Sequence, residues 1–186
     1  MQNGLNEEEI AQAVGAERTL GCLVQYGAYY IGPGHIEIGS EHDIYFGELH
    51  GQITPRLTMV AEALSAVMPS ITTDNIWGWK WTKLAFGSLN FAGVLPDVPL
   101  YDALQRTAFR LTFGAIVTKA VRVARSLGYS RLPTYGIFRP GPLADGYGAE
   151  ADEVFETLAV PEAGSIQHFT GIRRDLMVRK RKTDVD

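Results

Sequence analysis

Up to Pro69 the apolar positions of this chain mix two periods, and beyond it the helical period takes over. Asn6, with Glu9 three residues later, makes a capping-box start for a helix over 6–14 that Gly15 can end. Leu20 to Tyr30 is rich in strand formers, Pro33-Gly34 predicts a turn, and 35–38 and 43–49 alternate as short strands do. Together they predict a strand cluster at a sheet edge. Thr54-Pro55 reads as an N-cap followed by proline at the first helical position. Leu57, Val60, Ala61, Leu64 and Val67 then form a buried stripe until Pro69 stops the helix. The α/β pattern ends there, which places a boundary within 69–74 and divides the chain into 1–72 and 73–186.

Helices follow. Asp74 is expected to cap one that carries Trp77, Trp81, Leu84, Ser88 and Phe91 as an apolar stripe facing a core. Lys83, Gly87 and Asn90 stand at i, i+4 and i+7 on the neighbouring strip, so a lysine, a position without a side chain and an amide line up as a pocket wall would. A lysine among tryptophans is partly desolvated, which lowers its pKa and eases proton exchange with a substrate. The plain alternative is a lysine that snorkels to water. Pro96-Asp97-Val98-Pro99 breaks the chain, after which Leu100 to Leu104 and Thr107 to Leu127 read as helices. The second of these turns Leu111, Phe113, Ile116, Val117, Ala120, Val121 and Ala124 toward a bundle core. Glycine and proline crowd 132–148, which predicts a flexible loop. Helices over 150–158 and 165–182 complete the pattern.

Composition narrows the classes. A chain of 186 residues with 46% hydrophobic and 20% charged residues can bury a real core. No run approaches the roughly 18 apolar residues that a membrane-spanning helix needs. Glu7, Glu8 and Glu9 follow Met1 too closely for a secretion signal, so the expected location is cytoplasmic. The single cysteine, Cys22, reads as a small core residue. A net charge of −4 argues against a polyanion binder. The basic cluster Arg173, Arg174, Arg179, Lys180, Arg181 and Lys182 reads as a solvated helix face, without aromatic residues for base stacking, so no nucleic-acid partner is expected. His35, His42, His50 and His168 are too dispersed for a short metal motif, and no Cys-x-x-Cys or Gly-x-Ser-x-Gly occurs.

Three segments say more by their order: Gln2-Asn3-Gly4 before the first helix, Trp81-Thr82-Lys83-Leu84-Ala85 in the tryptophan helix, and Thr183-Asp184-Val185-Asp186 at the end. In this order the chain resembles the ketopantoate reductase (2-dehydropantoate 2-reductase) family over essentially its whole length. The resemblance implies an α/β remnant of a Rossmann-type nucleotide-binding domain over 1–72. A mainly α-helical domain follows over 73–186, like the C-terminal domain of 6-phosphogluconate dehydrogenase. It also implies NADPH-dependent reduction of a small 2-oxo acid, either ketopantoate to pantoate in pantothenate biosynthesis or a related substrate. Lys83 then matches the catalytic lysine, a general acid that also binds substrate. Asn3 matches an asparagine lying between nicotinamide and substrate, Asn90 and Thr170 fall near substrate-binding positions, and Asp184 falls where the cofactor ribose is contacted. The family's asparagines four and eight residues after the lysine are Gly87 and Phe91 here, which implies a substrate other than ketopantoate. The competing reading is a non-catalytic helical binding or dimerisation module descended from a reductase, with a homodimer left open.

The family's glycine-rich turn has no counterpart. Gly32-Pro33-Gly34 runs into the strand-like His35-Ile36-Glu37-Ile38, so it reads as a hairpin turn. The expectation is that Met1 is internal to a longer reductase, the alternative being the true start of a shortened paralogue. Taken by themselves, the 186 residues are expected to keep a folded helical part from about Asp74 onward. They are also expected to bind NADPH poorly and to show no reductase activity, because no helix N-terminus follows a glycine-rich turn to hold the pyrophosphate. Calorimetric titration of the purified chain with NADPH is the check. Micromolar one-to-one binding would mean that the cofactor site is elsewhere than supposed.

Overall fold

The structure, a computed structural model, describes residues 4–25, 27–40, 42–89, 98, 100–136, 138–146, 148–159, 176 and 180. It forms two compact units, Met1–Lys80 and Trp81–Asp186. The division falls inside a helix, past the 72/73 boundary drawn from the sequence.

The first unit is α/β. Helix α1 (Glu7–Val14) ends at Gly15, whose φ of 96° suits a residue without Cβ and whose N–H donates to the Ala11 carbonyl. Asn6 precedes the helix, but its side chain makes no cap and its Oδ1 is buried without a partner among the described residues. The expected capping box is therefore not formed. Strands β1 (Gly21–Val24), β4 (Ile44–Gly47) and β5 (Ser70–Thr72) make one sheet in the order β1-β4-β5. β1 runs antiparallel to β4 with Gly21 opposite Gly47 and Cys22 opposite Phe46, and β5 runs parallel to β4. A parallel pair needs a crossover, and helix α2 (Pro55–Leu64) provides it. The Thr54 hydroxyl accepts the Leu57 N–H and caps α2 as expected. Strands β2 (Gly27–Gly32) and β3 (His35–Ser40) form a separate antiparallel hairpin whose turn holds Gly34 at φ 74°. This is the hairpin that the sequence predicted, although Leu20–Tyr30 divides into two strands of different sheets.

Side-chain alternation gives the β1-β4-β5 sheet two working faces. The paired Cys22/Phe46 and Val24/Ile44 point to one side, where Phe46 and Ile44 join Leu57, Ala61 and Met68 in a buried cluster. Leu64 and Val67, expected in that stripe, are exposed instead. The helix stops at Leu64, and the turn that follows delivers Met68 to the core in their place. On the other side the glycine pair Gly21/Gly47 leaves a notch, and Ile76 fills it. β5 itself was missed because a strand of three residues carries too little period to register.

The second unit is helical. It contains the C-terminal half of α3 (Ile76–Gly87), then α4 (Leu100–Leu104), α5 (Thr107–Ser126) and α6 (Ala149–Leu158). Phe113, Val117, Val121 and Ala124 of α5 follow helical spacing into the core, whereas Leu111 and Ile116 remain exposed. The segment expected to be a flexible loop is instead packed. Phe138, Leu143 and Ala144 are buried in the core, a short 3-10 turn spans Gly141–Leu143, and the Thr118 hydroxyl lies 2.6 Å from the Leu143 carbonyl. Glycine and proline shape this segment, but its apolar side chains hold it. The helix expected over 165–182 lies outside the described residues, apart from Leu176 and Lys180.

The notch yields a stability prediction. A Cβ built on Gly47 would stand 2.5 Å from the Ile76 Cβ and 2.9 Å from the Thr73 carbonyl oxygen, both too close to accommodate. Gly47→Ala should lower stability by about 1–3 kcal/mol, the usual range for overpacking. The check is the urea midpoint; an unchanged midpoint would mean that Ile76 is not seated there.

Candidate active site

Helix α3 carries the candidate lysine, and its first turn is fixed by several independent interactions. The turn opens after Asn75, whose N–H donates to Thr73 Oγ1 at 3.1 Å and whose carbonyl accepts the Trp79 N–H at 3.2 Å, so Asn75 rather than Asp74 stands next to the helix. Ile76 sits in the glycine notch. The Trp77 indole N–H donates to the Leu49 carbonyl at 3.0 Å, and the Trp79 ring stacks on Tyr45 with centroids 3.9 Å apart. Lys80 completes the turn with a buried ion pair to the first residue of α1, Glu7. Their side chains are 1% and 0% exposed, and Lys80 Nζ also lies 3.5 Å from the Cys22 carbonyl.

Ile76, Lys80, Lys83 and Gly87 recur at i, i+4, i+7 and i+11, so they share one stripe of α3. Lys83 is half-buried on that stripe, three residues past the ion pair. One turn further, a Cβ on Gly87 would meet nothing within 4 Å among the described residues, which leaves open space among them beside that position. The opposite stripe faces the helical core: Trp81 is buried, and Ala85 and Leu89 belong to the core cluster. The sequence reading placed the core stripe through Leu84, but Leu84 is 42% exposed. Of the predicted stripe Trp81 is buried, but the phase was set partly by Trp77, which instead donates its indole N–H to the Leu49 carbonyl. Asn3, Asn90, Thr170 and Asp184 lie outside the described residues.

Sequence reasoning missed Lys80, which stood in plain view between Trp79 and Trp81 with a glutamate triplet available to pair it. It also missed Tyr135. Burial pushes the Tyr135 phenol up to about 12, so it stays protonated through neutral pH, and its ring lies 5.0 Å from Phe86 on α3. A second buried carboxylate, Glu48, ties the end of β4 to the start of α2. It accepts from Arg56 Nε at 2.7 Å, from Arg56 Nη2 and from the Thr54 hydroxyl. These hydrogen bonds, the one from Arg56 foremost, hold the Glu48 carboxyl below the usual glutamate range against the opposing effect of burial. Among the described residues no group of three or more His, Cys, Asp or Glu side chains is placed to hold a metal ion, and no helix is long and apolar enough to cross a membrane.

The family model for ketopantoate reductase PanE/ApbA matches residues 1–51, a stretch that includes Gln2-Asn3-Gly4 and ends before α3. The 2-dehydropantoate 2-reductase of Geobacter metallireducens GS-15 is 22% identical with a TM-score of 0.68 and covers 98% of this chain. That from Methylococcus capsulatus is 22% identical with a TM-score of 0.73 and covers 97%. D-Mandelate dehydrogenase, in a ternary structure with NADH and anilino(oxo)acetate, is 16% identical with a TM-score of 0.72 and covers 97%. The chain spans a little over half the length of each, 56%, 53% and 54% respectively. No curated protein sequence matches it significantly. The sequence match is thus to the ketopantoate reductases, an oxidoreductase family, and the fold of nearly the whole chain is theirs as well.

The Glu48 cluster predicts a pH dependence. A carboxyl whose folded pKa is depressed contributes stability above the unfolded glutamate value of about 4.3 and loses it as pH falls through the lower folded value. Glu48→Gln should therefore cost about 1–3 kcal/mol near neutral pH, the range for a lost charged hydrogen bond. That difference should shrink toward about pH 3. Urea unfolding of both proteins at the two pH values checks it, and a gap independent of pH would remove Glu48 as its source.

Proposed function

We propose that this chain carries the proton-donating and substrate-binding part of an NADPH-dependent reductase of small 2-oxo acids, with Lys83 as the general acid. The observation that carries the reading is the Trp81-Thr82-Lys83-Leu84-Ala85 helix itself. Its lysine is half-buried, follows directly on a turn fixed to the sheet, and has open space beside it at Gly87.

Reduction of a 2-oxo acid adds a hydride to the carbonyl carbon and a proton to its oxygen, giving the 2-hydroxy acid. The nicotinamide supplies the hydride; this chain supplies the proton and the grip on the substrate. The Lys83 ammonium donates a hydrogen bond to the carbonyl oxygen, passes its proton as negative charge develops there, and regains one from solvent. Asn3, Asn90 and Thr170 are the proposed partners of the substrate's polar groups, and Asp184 with Asn3 those of the cofactor. The described residues by themselves do not fit the cofactor's pyrophosphate. Gly32-Pro33-Gly34 is a hairpin turn, and α1 opens with Glu7, Glu8 and Glu9, which repel an anion.

In the complete enzyme, Lys83→Ala should lower turnover by about two to four powers of ten, the scale of a positioned general acid. Single-turnover kinetics with a panel of 2-oxo acids, run with NADPH and again with NADH, is the measurement. An unchanged hydride-transfer rate would take Lys83 out of the mechanism.

A further inference from the structure

We propose that the buried Glu7–Lys80 ion pair is a positioning device for Lys83, an inference that rests on the reading of Lys83 as proton donor. Stability alone does not account for the pair. Removing both charges from water costs several kcal/mol per ion, and apolar replacements of similar volume are often as stable or more so. This pair is also incompletely compensated, because Glu7 Oε2 is buried with no hydrogen-bond partner among the described residues. What the ion pair supplies is direction. Apolar packing tolerates small rotations and slides of a helix, whereas an ammonium held by a carboxylate and by the Cys22 carbonyl fixes one point of α3 in both.

That point lies on the stripe that continues into Lys83, three residues and less than one turn away. The other end of the link is Glu7, the first residue of α1 and four residues after Asn3. One carboxylate therefore connects the helix start behind the Gln2-Asn3-Gly4 segment to the helix that carries the proposed acid. A displacement of about 1 Å at a reacting group can cost on the order of a hundredfold in rate.

The test uses the complete enzyme with Glu7→Gln, the double variant Glu7→Gln/Lys80→Met, and Glu48→Gln as a destabilised control. Glu7→Gln is expected to lower kcat by about tenfold to a hundredfold, with the KM for the 2-oxo acid little changed. The double variant should recover thermal stability without recovering kcat, and Glu48→Gln should lose stability while keeping kcat at temperatures where it is folded. Labelling with a lysine-directed reagent, read by mass spectrometry, adds a measurement independent of turnover. In Glu7→Gln the half-buried Lys83 should label several times faster while Lys119 keeps its wild-type rate. The inference is overturned if Lys83 labelling is unchanged, or if kcat simply follows stability across the three variants. Altered labelling with unaltered turnover would instead uphold the positioning and remove Lys83 as the acid.

Discussion

The seating of the first turn of α3 on the β1-β4-β5 sheet is the constraint on which the rest of this structure turns. Two glycines directly opposite each other, Gly21 on β1 and Gly47 on β4, remove the side chains that would hold a helix away from the strands. Ile76 takes the vacated volume, and Trp77, Trp79 and Lys80 each find a partner in the same unit within that turn. Four residues at the start of this helix, Ile76, Trp77, Trp79 and Lys80, are thus held within one unit, and the period of 3.6 residues per turn sets which side chains recur together along α3. Lys83 falls on the stripe of Ile76 and Lys80, and the buried Ala85 on the other.

The two buried carboxylates of the α/β unit show how differently the same group can be used. Glu48 is 1% exposed and receives hydrogen bonds from Arg56 and Thr54, with the fork of the guanidinium matching both oxygens. Such an arrangement repays desolvation and ties strand to helix. Glu7 is as deeply buried but meets one ammonium, and among the described residues its second oxygen goes without a partner. A buried pair compensated so incompletely is weak evidence for stability, which is why its geometry carries the interest.

Much of this was legible in the chain, and the failures have a common cause. The Thr54-Pro55 start, the Gly34 turn, the long α5 and its Gly128 terminus depend on local chemistry, and local chemistry is what a sequence displays. Lys83 was singled out through its neighbours in the helix, and the structure places it half-buried on α3. What the sequence obscured were interactions across long separations: the three-residue β5, which exists because β4 offers it a ladder, and the phase of α3, which the distant glycine pair sets. Lys80 was overlooked for the same reason, since its partner lies 73 residues away. Tryptophan misled further. Trp77 was counted on the core stripe, yet what the fold uses there is the polar indole N–H.

The fold by itself does not choose a substrate, since comparable likeness extends to 2-dehydropantoate 2-reductases and to D-mandelate dehydrogenase. Under the proposed role of Lys83, choice would fall to the side chains around the stripe that carries it. There the chain departs from the resemblance in one direction: a glycine with open space replaces an amide one turn beyond the lysine. On the adjoining side, Phe86 packs against Tyr135 and Phe138. Deleting a polar partner and leaving volume weakens discrimination in favour of a hydroxylated substrate and relaxes it against apolar bulk, because a site rejects most strongly the ligand that leaves its buried polar groups unpaired. On the proposed reading, proton donation would be tied to the turn of α3 held by Ile76 and Lys80, and the identity of the oxo acid to positions such as Gly87 that vary without disturbing that turn.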